Sequence, residues 1–305
     1  IGTNNISIIG LSGDSSLVII DPDGNPANSN NVAVKFLNVS GITMKNLTVK
    51  DAYYGIYLDG CDSSVFENIS VTNCNGNAQS AGIYFYNNSD SITIRNSYFA
   101  NNSRSIQSRS AAGIQYNNHF LNNIVLNSLN SILLYNATGV HIKNNSFDSG
   151  TGSAISLNSG FTNGIVSDNR IDSYNFGLSV SSGADSNHIY NNIINNIYVS
   201  GSGYGMSISS DSNIIDSNTI TSNSNSAYGT WLETGAETNI VRNNAFYGVS
   251  RVGSGSYDRG KNNFYYNNYY NNLNFGLLWA SGALNSRAES NTFNDNTKGM
   301  VINDG

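Results

Sequence analysis

Four tyrosines, an aspartate and an arginine stand at matched spacings. Tyr57 and Tyr84 are 27 residues apart, as are Asp59 and Tyr86, and Arg109 and Tyr135 follow at steps of 23 and 26. Sugar rings present apolar faces that pack on aromatic rings, while Asp and Arg bond hydroxyls or carboxylates. If the spacing stacks these residues, Tyr57, Asp59, Tyr84, Tyr86, Arg109 and Tyr135 form an outward saccharide-binding ledge. Stacked tyrosines that merely cover a sheet are the simpler alternative. Catalysis on a glycan would need two carboxylates across the bond, or a base placed to take a sugar proton. Asp59 with Arg109, and Glu233 several repeats later on the same face, are the residues to fill those roles, although no close Asp/Glu pair lies within the ledge.

A second constellation is acidic. The turns Asp185-Ser186-Asn187, Asp211-Ser212-Asn213 and Glu237-Thr238-Asn239 repeat 26 residues apart. Such oxygen-rich turns can hold Ca²⁺ through Asp185, Asp211 and Glu237, with neutral oxygens completing the shell, or they are solvated turn formers. No other cofactor is required. Lys45, Glu67 and Arg95 align as ion-pair partners, as do Asp216 and Arg242. His119, His141 and His188 are read as separate residues that assemble no metal site.

The element that positions these groups is a repeat. A small residue followed by an inward, an outward and an inward position returns as Gly55-Ile56-Tyr57-Leu58, Gly82-Ile83-Tyr84-Phe85 and Ser105-Ile106-Gln107-Ser108. It continues through Ser131-Ile132-Leu133-Leu134, Ala154-Ile155-Ser156-Leu157, Gly177-Leu178-Ser179-Val180, Gly205-Met206-Ser207-Ile208, Gly229-Thr230-Trp231-Leu232, Gly276-Leu277-Leu278-Trp279 and Gly299-Met300-Val301-Ile302. One step of 47 residues spans two repeats, the middle one degenerate around 250–260. Each repeat also carries a motif such as Ile142-Lys143-Asn144-Asn145-Ser146-Phe147, whose second asparagine recurs at Asn118, Asn145, Asn169, Asn192, Asn218, Asn244, Asn268 and Asn291. Short alternating strands of this period cannot bury their apolar faces alone, and stacking repeat on repeat does so. The expectation is an all-β, single-stranded, right-handed parallel β-helix solenoid of about 11–12 coils, forming one domain over residues 1–305. The asparagines would serve left-handed turns and stack their amides coil to coil.

These repeats resemble the right-handed parallel β-helix family, the pectate-lyase-like solenoids, over the whole chain from about Asn5 to Ile302. The resemblance implies secreted enzymes that cut polysaccharides, or archaeal and bacterial cell-surface proteins. It is specific for fold and open on function, since lyases, hydrolases and non-catalytic proteins share it. The basic cluster that such lyases use for acidic sugars is not evident in the repeats.

Composition narrows the rest. Of 305 residues only 11% are charged, the formal net charge is -6, and 39% are hydrophobic. That is a real core with no apolar run long enough for a membrane span, and an acidic balance that disfavours nucleic acid. Both ends lie within the repeat, so the chain is either a segment of a larger protein or a protomer that stacks end to end into a fibre or sheath. An extracellular or cell-surface structural protein is therefore the first functional reading, with partners that are copies of itself or a polysaccharide. A glycoside hydrolase or lyase binding glycan along the outer face is the alternative. Distant residues could meet through loops at 195–204 and 249–261. Cys61 and Cys74 fall in one coil and form either one disulfide beside the loop 73–80 or two free buried thiols. Sequons at Asn87, Asn101 and Asn136 lie in expected turns and are the candidate glycosylation sites.

Overall fold

The computed structural model describes residues 4–109, 113–195 and 203–303. Most of the loop expected at 195–204 thus lies outside the described residues. Among the described residues all regular structure is β and the strands pair in parallel. The fold is the expected right-handed β-helix solenoid. The chain divides into two compact units, Ile1–Thr151 and Gly152–Gly305.

In unit 1 one face is built from Val32–Leu37, Tyr54–Asp59, Ala81–Phe85, Arg104–Ser108 and Asn130–Leu134, each hydrogen-bonded to the next. Val34, Ile56, Ile83, Ile106 and Ile132 share one inward column and are all buried. The opposing face opens with the short strands Ser7–Ile9 and Ile19–Ile20, both paired to Thr43–Lys50, then Val65–Thr72, and continues as short paired strands. Phe66, Ile94 and Phe120 stack inward there.

Unit 2 repeats the plan with Ser153–Leu157, Phe176–Val180, Gly203–Ile208, Ala227–Leu232, Ser254–Asp258, Phe275–Trp279 and Lys298–Ile302. The degenerate stretch is a full rung rather than a loop, since Ser254–Asp258 pairs on both sides. The opening residue of the rung motif is small because backbones approach closely. A Cβ on Gly229 would lie 2.4 Å from both the Gly255 carbonyl oxygen and the Phe246 ring.

The turns divide two jobs that the repeat suggested one asparagine would do. The first residue of the pair takes the left-handed conformation, as at Asn191 (φ 53°) and Asn243 (φ 55°). The second, buried, runs the ladder: Asn192 Oδ1 accepts from Asn169 N at 3.1 Å and from Asn169 Nδ2 at 2.9 Å, and Asn192 Nδ2 donates to Asn218 Oδ1 at 2.9 Å. Asn218, Asn244, Asn268 and Asn291 carry the file onward. In unit 1 the partner of Asn145 in this file is Asn123, not Asn118. Asn118 belongs to a different corner, where it caps Ile92 N at 2.8 Å. Unit 2 has a file at the corresponding corner, through Asn187, Asn213, Asn239 and Asn263.

Candidate functional site

The register stacks Tyr57 on Tyr84, as expected. One rung position further, Tyr86 N donates to Leu58 O and Arg109 N to Phe85 O, which sets Asp59, Tyr86 and Arg109 in one column. Tyr135 follows on the next rung, its N–H donating to Ser108 Oγ. Tyr54, from the position before Gly55, joins the cluster: its ring stacks on Tyr84 with centroids 4.4 Å apart and planes 21° apart. Tyr57 lies 5.4 Å from Tyr84 and 5.5 Å from Tyr86.

The rings pack against one another along the face, Tyr54 and Tyr84 stacked and the others tilted at 30–41° or edge-to-face. Their faces are largely taken by one another and by two cations, with Lys35 Nζ 4.8 Å from the Tyr57 centroid and the Arg109 guanidinium 4.5 Å from that of Tyr86. The aromatic cluster expected from the sequence is present as a packed group of rings with a cation over Tyr57 and another over Tyr86. A groove of about 620 Å³ runs over this group and is lined also by Ser29, Asn30, Val32 and Gln79, the last from the loop 73–80. No carboxylate lines it, and neither Asp59 nor Tyr135 does. Asp59 instead accepts from Asn87 Nδ2 at 2.5 Å. Burial raises the phenol pKa of Tyr54 and Tyr57 well above its ordinary value, so both stay protonated donors. Arg104 fills the column space beyond Ala81, and burial lowers its pKa.

The remaining candidates fall elsewhere. Glu233, in unit 2, follows the strand Ala227–Leu232, with its N–H on Ile208 O. The Asp185 and Asp211 carboxylates of the acidic turns are engaged by backbone N–H groups of the next rung. Asp185 Oδ1 accepts Asp211 N at 2.9 Å and Asp211 Oδ1 accepts Glu237 N at 2.7 Å, so these carboxylates bridge successive rungs. Of the neutral oxygens in these turns, those of Asn187, Asn213 and Asn239 are buried in the amide file, whereas the exposed Ser212 and Thr238 hydroxyls hydrogen-bond each other at 3.1 Å. Among the described residues no three His, Cys, Asp or Glu side chains group to hold a metal.

The Cys61–Cys74 disulfide is not formed. Both thiols are free and buried, one after each strand of the coil, with Sγ against the backbone oxygens of Asp59 and Thr72 respectively. Burial pushes the Cys74 thiol up to about 12. Glu67 bridges Lys45 (2.6 Å) and Arg95 (3.0 Å), and Asp216 pairs with Arg242 at 2.8 Å. His119 and His141, read as separate, are register partners with ring centroids 4.8 Å apart. Asn87 and Asn101 are exposed, and Asn136 is half-buried.

The family model described as "Right handed beta helix region" matches residues 32–194 and 192–305. The chain belongs to the right-handed β-helix family. No curated protein matches it in sequence. Among solved β-helix structures it is similar to the A-module of the Azotobacter vinelandii mannuronan C-5 epimerase AlgE4, with a TM-score of 0.65 at 13% identity over 93% of this chain and 86% of that one. It is also similar to the periplasmic alginate epimerase AlgG, with a TM-score of 0.62 at 13% identity over 92% and 79%. The tailspike protein of E. coli bacteriophage HK620 gives a TM-score of 0.54 at 12% identity over 94% and 57%. At these identities the likeness is one of fold. No helix among the described residues is long and apolar enough to cross a membrane.

Proposed function

We propose that this β-helix protein binds an acidic polysaccharide along the outer face of unit 1, outside the cytoplasm. The observation that carries the reading is the groove over Tyr54, Tyr57, Tyr84 and Tyr86, bounded by the Lys35 and Arg109 cations and free of carboxylates in a chain of net charge -6. Guanidinium and ammonium groups pair with uronate carboxylates, and phenol hydroxyls donate to sugar oxygens. Structural neighbours that include mannuronan and alginate epimerases lend support to a glycan-directed role. The fibre or sheath expected first from the sequence draws no support from either source.

Chemistry on the bound chain is a separate matter. A paired-carboxylate hydrolase does not suit a groove without carboxylates. Proton abstraction by Tyr54, Tyr57 or Tyr84 does not suit phenols that burial holds protonated. Asp59, with Arg109, remains the candidate to test, by a reducing-end assay on the wild type beside Asp59→Ala. Turnover abolished by that substitution would make the protein an enzyme.

Binding is tested by titrating mannuronan oligosaccharides into the protein calorimetrically at low and high salt. Saturable binding that weakens with salt and with Arg109→Ala is the expected result. No binding, or binding indifferent to salt, overturns the reading.

A further inference from the structure

Unit 2 carries a second aromatic cluster at the same register positions as the groove residues of unit 1, and no motif in the sequence reading singled it out. In the column of the Tyr54 type, Phe176, Tyr204 and Tyr228 stand on successive rungs, with stacked rings 5.2 and 5.7 Å apart. In the next outward column Ser179 and Ser207 precede Trp231 and Tyr257, whose rings stack at 4.0 Å. The two files are staggered. Where the first already carries rings, the second still carries serines, and this leaves a step two rungs long.

The step has a floor of half-buried Ser179 and Ser207, whose hydroxyls have no partner among the described residues. Phe176 and Tyr204 form its side, and Trp231, edge-to-face with Tyr204 at 5.2 Å, closes one end. Beyond Trp231 the third outward position holds Glu233 and then Arg259, on neighbouring rungs. These charges occupy the column positions that Asp59 and Arg109 have in unit 1. Neither side chain has a hydrogen-bond or ion-pair partner among the described residues.

We propose that this step is a second saccharide-binding site, taking a neutral hexose ring of a glycan. It extends the reading that the outer face binds glycan, but with different chemistry. Here one carboxylate and one guanidinium offset each other, and the free donors and acceptors are serine hydroxyls. At ~4.8 Å per rung, two serine rungs give a floor about 10 Å long, enough for one pyranose ring lying against the indole. Glu233 would accept from a sugar hydroxyl and Arg259 would donate to one.

The two tryptophans of the chain, Trp231 and Trp279, are both in unit 2 and neither lines the groove, so indole emission is a probe of this step. The test uses Trp279→Phe, which leaves Trp231 as the only indole, titrated with cellohexaose. A saturable change in emission is expected, retained when Arg109→Ala is added. With Ser207→Phe, which fills the step, the apparent affinity should fall about tenfold or more. Glu233→Gln, which changes no volume, should weaken binding and leave the melting temperature in place.

Emission unmoved by cellohexaose, while mannuronan still binds calorimetrically, removes the second site and leaves the groove standing. Failure of both ligands removes both. Loss of the emission change on Arg109→Ala also overturns the proposal, because the indole would then be reporting the groove. So does concentration-dependent dimerisation in sedimentation that Ser207→Phe abolishes, because a second copy would then cover the step.

Discussion

The guanidinium of Arg109 lies 4.5 Å from the ring centroid of Tyr86, one rung away in the same column. The ring face orients the cation, and no carboxylate among the described residues pairs with it, so its N–H groups remain available to a ligand. Arg109→Ala should weaken binding of mannuronan oligosaccharides by about one to two orders of magnitude, the value of a hydrogen bond to a charged group. Arg109→Lys should recover part of that loss, because it keeps the charge and forfeits the planar stack. Neither substitution should change the stability by more than the ~0.5 kcal/mol typical of surface changes, so the melting temperature stays nearly in place. Calorimetry beside thermal unfolding separates the two effects.

Asn192 presents the opposite case. It is fully buried, its Nδ2 donates to Val166 O at 2.9 Å and Asn218 Oδ1 at 2.9 Å, and its Oδ1 accepts from two groups of Asn169. Asn192→Ala leaves several buried backbone and amide groups without partners, each costing about 1–3 kcal/mol. The melting temperature should therefore drop sharply, while mannuronan binding by the folded fraction keeps its wild-type affinity. An unchanged melt would mean that the ladder contributes nothing to stability.

The rungs were legible because period-2 alternation and a small opening residue each have a direct physical cause, namely a buried face and a carbonyl 2.4–2.8 Å from where a Cβ would sit at Gly55, Gly82, Gly177 and Gly229. The aromatic site was legible only in part. Tyr57, Tyr84, Tyr86 and Arg109 follow from register, whereas Lys35 sits on a rung opened by Ala33-Val34, where alanine replaces glycine in the same pattern. Tyr54 precedes the repeating motif, although aromatic residues recur at that position before Gly177, Gly205 and Gly229. Ring orientation was not legible, because spacing fixes which residues are neighbours and not which way their planes turn. The Asn118 assignment failed for a related reason: two corners of the coil both use Asn-Asn pairs, and only pairing shows that Asn123 is the one in line with Asn145.

Cys61 and Cys74 should behave as core side chains. Both are 0% exposed, and the high pKa that burial gives Cys74 keeps it from the thiolate that thiol reagents need. In native protein, modification by an aromatic disulfide reagent should be slow and should follow the unfolding rate, reaching two thiols per chain in denaturant. A reducing agent should leave the melting temperature unchanged. Rapid labelling of the native state, or a melting temperature lowered by reductant, would contradict the packing described.

Asp258 occupies the inward column that carries Leu232 on the preceding rung, and it is fully buried. Gly260 N, Asn263 Nδ2 and Ser286 Oγ donate to it at 2.8, 3.1 and 2.9 Å, yet desolvation outweighs these bonds and raises its pKa. A folded-state pKa above the unfolded value of about 3.9 means that the folded chain holds this proton more tightly. Its contribution is thus fully present below that unfolded value and is lost as pH rises through the raised folded value. Glu67 acts in the opposite sense, because Lys45 and Arg95 depress its pKa and its stabilisation disappears on acidification. Asp258→Asn keeps an acceptor for Gly260 and Asn263 without the charge, so it should remove the falling limb and raise the melting temperature at neutral pH relative to the wild type. Melts of both proteins across the acidic range decide it: if the variant tracks the wild type at every pH, the buried carboxyl is not the group that titrates.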